Sequence, residues 1–372
     1  MPPGPIVRED AGVDLSPDDA RAIRMANLLL TRRPDGPDEL TAVVEWFGAM
    51  QAQDVASGLW SLGARLPAYT RSQILDQLER RSVLRTWPMR GTIHFIPSRD
   101  AHWMLELTAR RPFQAAEKRW ASWGLDGATI DAAVDLLATT LAGDRRLTRT
   151  DAVAMLNAAG IDTSAQRGYH ILVAASIRGV VCIAPHVGND PTFVLLDDWA
   201  GERTTPDRDT ALGILAGRFF ASHGPATEKD FAGWTGLSLT DARRGIAAHD
   251  LATVRVDGTP MLVRRSDLDA VVPHDTIAVL PAFDEYLLGY KDRSLMATPA
   301  QLAAIVPGNN GVFQPTVVQN GKVVALWRRV TGKAATTITV TPFGRVPRAR
   351  VEAAFEPYAH YLEQPVRVKW AD

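Results

Sequence analysis

The chain of 372 residues reads as an α+β protein, three winged-helix units in tandem packed with a β-rich C-terminal subdomain. Three observations predict this. A Ser or Thr followed three residues later by Asp repeatedly opens an apolar-periodic stretch, as a capped helix start does. Asp-Gly and Asn-Gly dipeptides separate short β-rich runs, as tight hairpin turns do. The order of helices followed by a hairpin then recurs along the chain, which is the order of a winged helix. With 46% hydrophobic and 22% charged residues, the composition excludes a wholly disordered, collagen-like or coiled-coil chain.

The cap pattern stands at Ser16/Asp19, Thr148/Asp151, Thr227/Asp230 and Ser238/Asp241. Residues 1–14 read as a flexible tail. The first unit, residues 15–145, contains predicted helices over 17–31, 38–49 and 70–80. Strands Val83–Trp87 and Gly91–Ile96 follow, with Pro88-Met89-Arg90 as their turn, and linking helices complete the unit. The second, residues 146–205, has helices over 148–158 and 163–178 and then a hairpin of Val180–Ala184 with Phe193–Leu196. The third, residues 206–272, has a helix from Thr210 to Ser222, a turn at Gly224-Pro225, and helices from Thr227 and Ser238. Its hairpin turns at Asp257-Gly258. Residues 273–372 form the C-terminal unit, with strands at Ile277–Pro281, around Asn320-Gly321, at Ala335–Thr341 and at Val366–Trp370. A helix from Pro347 to about Leu362 lies between the last two.

Forty-one basic residues against 42 acidic ones give a net charge of -1, which excludes a protein that coats nucleic acid by bulk charge. It does not exclude a local basic cleft. The single cysteine, Cys182, lies in an apolar run and reads as a buried core residue; one thiol builds no disulfide framework. No run of about 18 apolar residues predicts a membrane span. The N-terminus lacks the layout of a secretory signal, so a cytoplasmic, nucleoid-associated monomer is expected. No phosphate-binding loop, dinucleotide fingerprint, nucleophile elbow or metal-ligand spacing occurs, so neither cofactor nor metal is expected.

Cations cluster in several places. Arg243 and Arg244 lie on the helix preceding the third hairpin, the element that enters the major groove in winged helices. A solvated face near a helix end would look the same. Further groups are Arg21 and Arg24; Arg80, Arg81, Arg85 and Arg90; Arg110 and Arg111 with Lys118 and Arg119; and Arg328 and Arg329 with Lys333. Arg90, Thr92 and His94 alternate onto one side of the first hairpin, suited either to phosphate contact or to buttressing it. Asp284, Asp292 and Arg293 read as a structural ion-pair network. Gln51 and Gln53 share one face if the chain is extended and diverge if it is helical.

Gln51-Ala52-Gln53-Asp54, the segment from Arg85-Thr86-Trp87-Pro88 to His94, and the segment from Pro281-Ala282-Phe283-Asp284 to Arg293 occur in that order. Together they resemble the AlkZ-like winged-helix DNA glycosylases, over nearly the whole chain from about residue 15. The related YcaQ type carries Asp where this chain has Gln53, which places it nearer the AlkZ branch. The resemblance implies three tandem winged helices, Gln51 and Gln53 as catalytic residues, and double-stranded DNA carrying alkylated bases as substrate. It also implies excision of N-alkylated purines, including bulky or crosslinked adducts.

The chemistry suits the residues. An N7-alkylguanine is already cationic, so its glycosidic bond is weakened and the leaving group needs no general acid. A glutamine carbonyl accepts from a water near C1′, while its NH₂ can donate to the sugar-phosphate. An open cleft would act without the full base flipping of most glycosylases. DNA contacts are expected from Arg85, Arg90, Thr92, His94, Arg110, Arg111, Arg243, Arg244, Arg328 and Arg329. A non-catalytic DNA-binding regulator or damage sensor is the competing reading.

Overall fold

The computed structural model describes residues 13–31, 36–269 and 275–371, apart from the side chains of residues 110–112, 115, 118 and 119. It is a mixed α/β protein. All four predicted caps form: Ser16, Thr148, Thr227 and Ser238 each accept the backbone N–H three residues on. At Thr227 the Asp230 carboxylate also reaches back to the cap's own N–H, at 2.9 Å. At Ser16, Thr148 and Ser238 the aspartate instead takes the cap hydroxyl hydrogen. Asp is one methylene shorter than the Glu of a full capping box, which limits its reach.

A six-stranded sheet runs in the order Met50–Gln51, Thr92–Pro97, Val83–Met89, Val181–Val187, Asp190–Leu195, Leu147–Thr148. Arg85 pairs with Ile183 at its centre, so the hairpins expected in residues 15–145 and 146–205 share one sheet. Residues 208–264 fold in the order read from the sequence. Helices Arg208–His223, Glu228–Thr235 and Leu239–Ile246 precede the hairpin Leu251–Val256 with Thr259–Arg264. The C-terminal sheet runs Ile277–Leu280, Thr316–Gln319, Lys322–Thr331, Thr336–Pro342, Val366–Trp370. One apolar core extends from Met25 to Tyr361, and a small second core joins Ala20 and Ile23 to the Leu251–Arg264 hairpin. Among the described residues no helix is long and apolar enough to cross a membrane.

Three expectations need correction, and one helix is additional. The tail reading fails at its end, because Val13–Asp14 pairs in parallel with Val254 and Arg255 and feeds directly into the Ser16 cap. Residues 1–12 lie outside the described residues, as does the boundary expected at 272. The first hairpin turns at Arg90-Gly91, with φ of 55° and 70°, rather than at Pro88-Met89-Arg90. A register shift between Thr86 and Met89 absorbs Pro88, which has no N–H for the ladder. The helix expected from Pro347 is two, Arg348–Ala353 and Glu356–Leu362, since Pro357 suits only a first helical turn. A further helix, Val55–Gly63, keeps apolar residues at helical spacing in Val55, Leu59 and Leu62, but two glycines and two serines weaken its helix propensity.

Candidate active site

The Gln motif begins on a strand of only two residues, Met50–Gln51, at the edge of the six-stranded sheet. Gln51 pairs with His94 and therefore shares its face. Ala52 N–H continues the ladder, donating to Ile93 O at 2.8 Å. The return bond is made differently. Ile93 N–H donates to the side-chain Oε1 of Gln53, at 3.0 Å, while Ala52 O accepts from Arg85 Nη2, also at 3.0 Å. Gln53 thus replaces a backbone acceptor, and its NH₂, at an exposed position, has no partner among the described residues. Gln51 is half-buried, and among the described residues its side-chain amide has no protein hydrogen-bond partner. Asp54 then caps the Val55–Gly63 helix, which ends the extended segment. Gly58 lets that helix approach: a Cβ there would stand 3.1 Å from Gln51 O.

His94 is fully buried beneath this face. Its Nδ1 donates to Thr92 O at 2.9 Å, and its Nε2 accepts from Arg90 Nη2 at 3.1 Å. Burial first, and the Arg90 charge second, push its pKa down to about 3, so the ring is neutral. Arg90 itself is mostly enclosed; burial lowers its pKa, and the nearby Glu285 carboxylate opposes that shift. Glu285, 1% exposed, accepts the Gln51 backbone N–H at 3.0 Å and Trp234 Nε1–H at 2.9 Å. Burial alone would raise its pKa, but the His223 ring beside the carboxylate and the Arg90 charge outweigh that and lower it. We take His223 as neutral, because full burial depresses its own protonation.

The predicted contacts separate into groups. Arg90, Thr92 and His94 gather beside Gln51, though His94 is sealed from solvent and the Thr92 hydroxyl is enclosed. Arg85 is 6% exposed and braces Ala52 from behind, with burial lowering its pKa to about 10. It lines a cavity of about 220 Å³ with Leu59, Phe95 and His186, on the sheet face opposite Gln51. Arg243 and Arg244 are exposed and paired with Glu228 and Asp209. Arg328 and Arg329 project from the C-terminal sheet, where Arg329 donates to the Tyr358 hydroxyl. Arg110 and Arg111 begin the Arg110–Ala121 helix, and their side chains lie outside the described residues. Asp284 forms a buried ion pair with Arg65 at 2.8 Å and also accepts from Ser61 Oγ. Asp292 instead accepts from Ser294 N–H and Arg293 donates to Leu287 O, so the expected network takes in Arg65 rather than those two. Cys182 is fully buried and its thiol pKa is raised by burial, as a core residue requires.

Sequence reasoning missed Glu285, Trp234 and His223. Glu285 stands inside the Pro281–Arg293 segment, but only its depth and its contact with Gln51 distinguish it from its acidic neighbour.

The family described as "DNA glycosylase AlkZ-like" matches residues 44–363. An interstrand DNA cross-link repair glycosylase of Streptomyces sahachiroi is 27% identical over 336 residues, covering 86% of this chain and 88% of that protein. The solved structure of the Streptomyces sahachiroi DNA glycosylase AlkZ superposes with a TM-score of 0.77 at 27% identity, covering 96% of this chain and all of that one. The chain belongs to the AlkZ-like DNA glycosylase family, enzymes that hydrolyse the N-glycosidic bond.

Proposed function

We propose that this protein is a monofunctional glycosylase that excises N-alkylated purines from duplex DNA, N7-alkylguanine and N3-alkyladenine in type. One observation carries the reading. Two amides stand at the edge of a largely buried sheet; among the described residues one has no protein hydrogen bond and the other has only its NH₂ unpartnered. The Gln51 carbonyl accepts a hydrogen bond from the attacking water and aims it at C1′. The Gln53 NH₂ donates to the sugar-phosphate, because its own oxygen is held by Ile93. An amide is a weak base, so the chemistry depends on a leaving group that is already cationic; normal purines are spared for that reason. The name of the Streptomyces relative supports extending the substrate to bulky or crosslinked adducts.

The architecture we infer is three tandem winged helices, at 15–145, 146–205 and 206–272, on a C-terminal subdomain at 273–372. Arg90, Arg328 and Arg329 are the cations we assign to DNA contact. His94 and Arg85 support the site from within. The test is a duplex carrying one N7-methylguanine. Abasic sites should form there and not in the unmodified duplex. Tight binding to one preferred sequence with no abasic sites would instead favour a regulator.

A further inference from the structure

We propose that Glu285 is a positioning residue for base excision, acting through the backbone of Gln51; the inference rests on the glycosylase reading above. Gln51 lies on an edge strand, so its N–H points away from the sheet with no neighbouring strand to receive it. An edge N–H left in this way usually takes water or a partner strand. Here Glu285 Oε1 takes it, at 3.0 Å.

The carboxylate is in turn fixed on its other side. Oε2 accepts from Trp234 Nε1–H and lies 3.5 Å from His223 Nε2. His223 is held by Ser222 Oγ at 2.8 Å through Nδ1 and stacks on Phe219 with an interplanar angle of 8°. Gly289 makes room for this ring, since a Cβ there would stand 2.2 Å from His223 Cδ2. Glu285 is also placed by its neighbour, because Asp284 caps the Glu285–Leu288 helix while Arg65 grips Asp284. Three segments far apart in sequence therefore converge on one backbone N–H of the Gln motif. A charged acceptor forms a shorter and stronger bond than a neutral one. That strength sets the Gln51 peptide plane, and with it the direction of the free amide.

The experiment is Glu285→Gln in the full chain, read by single-turnover release of 7-methylguanine and by duplex affinity. The expected release rate falls by about tenfold or more, with Kd within about twofold. In a Gln51→Ala background the same change should cost nothing further, because its effect passes through Gln51. An unchanged rate, or a loss that multiplies fully with that of Gln51→Ala, overturns the proposal. If Glu285→Gln does not fold, Trp234→Phe keeps the carboxylate but frees Oε2. A wild-type rate in that variant also overturns it. A wild type that releases no base sinks the glycosylase reading and this inference with it. Wild-type release with an unaffected Glu285→Gln sinks this inference alone.

Discussion

The two glutamines should differ in what their truncation does to the fold. Gln53 Oε1 is the acceptor for Ile93 N–H, and Ile93 is only 7% exposed. Gln53→Ala leaves that donor without a partner, a loss of about 1–3 kcal/mol. Gln51 has no comparable side-chain bond, so Gln51→Ala should stay within about 0.5 kcal/mol of wild type. With an unfolding entropy of roughly 2.1 cal/mol/K per residue, 1–3 kcal/mol lowers Tm by about 1–4 °C for a chain of this size. Paired melts of the two variants, with urea midpoints as a second measure, check the difference. Gln53→Glu retains the acceptor oxygen and should melt near wild type. The reasoning is refuted if Gln51→Ala destabilises as much as Gln53→Ala, or if Gln53→Glu restores nothing.

Breaking the buried Arg65–Asp284 pair by Asp284→Ala strands a guanidinium with no exposed surface, and should cost about 3–5 kcal/mol by urea denaturation. His94 supplies a pH dependence. Its folded pKa of about 3 lies below the unfolded value near 6.5, so its stability is fully present above pH 6.5. That stability is lost progressively as pH falls from 6.5 toward 3, and about 2 kcal/mol of it is already gone at pH 5. NMR should show its ring neutral and Nδ1-protonated at pH 5, and a protonated ring there would contradict the buried geometry. Cys182 should resist a thiol reagent in the native state and react once the chain is unfolded. Arg328→Ala should reduce the salt dependence of duplex binding by about one phosphate's worth, whereas Arg243→Ala, already paired with Glu228, should change it less.

Local signals made most of the framework legible. The Ser/Thr–x–x–Asp starts and the Asn320-Gly321 turn depend on neighbouring residues alone, so they translate directly into caps and a hairpin. The Gln motif was readable only as a choice between extended and helical chain, and the extended form follows from its pairing with the Thr92–Pro97 strand. What could not be read is what distant segments do to one another. Arg85 and His94 look like surface cations on a hairpin, yet the Val181–Leu195 strands and the elements around Glu285 bury them. The Val55–Gly63 helix hides because the glycines that permit its close packing, with two serines, lower its helix propensity. Glu285 has no local mark of depth, and only Trp234 and Gln51, 51 and 234 residues away, give it a role.

The central claim is that the Gln51 amide directs hydrolysis of a glycosidic bond. Its most direct test is the single-turnover rate of 7-methylguanine release with enzyme saturating the duplex, wild type against Gln51→Ala. The account predicts a fall of about 100- to 1,000-fold with Kd nearly unchanged. Equal rates in the two proteins would contradict it.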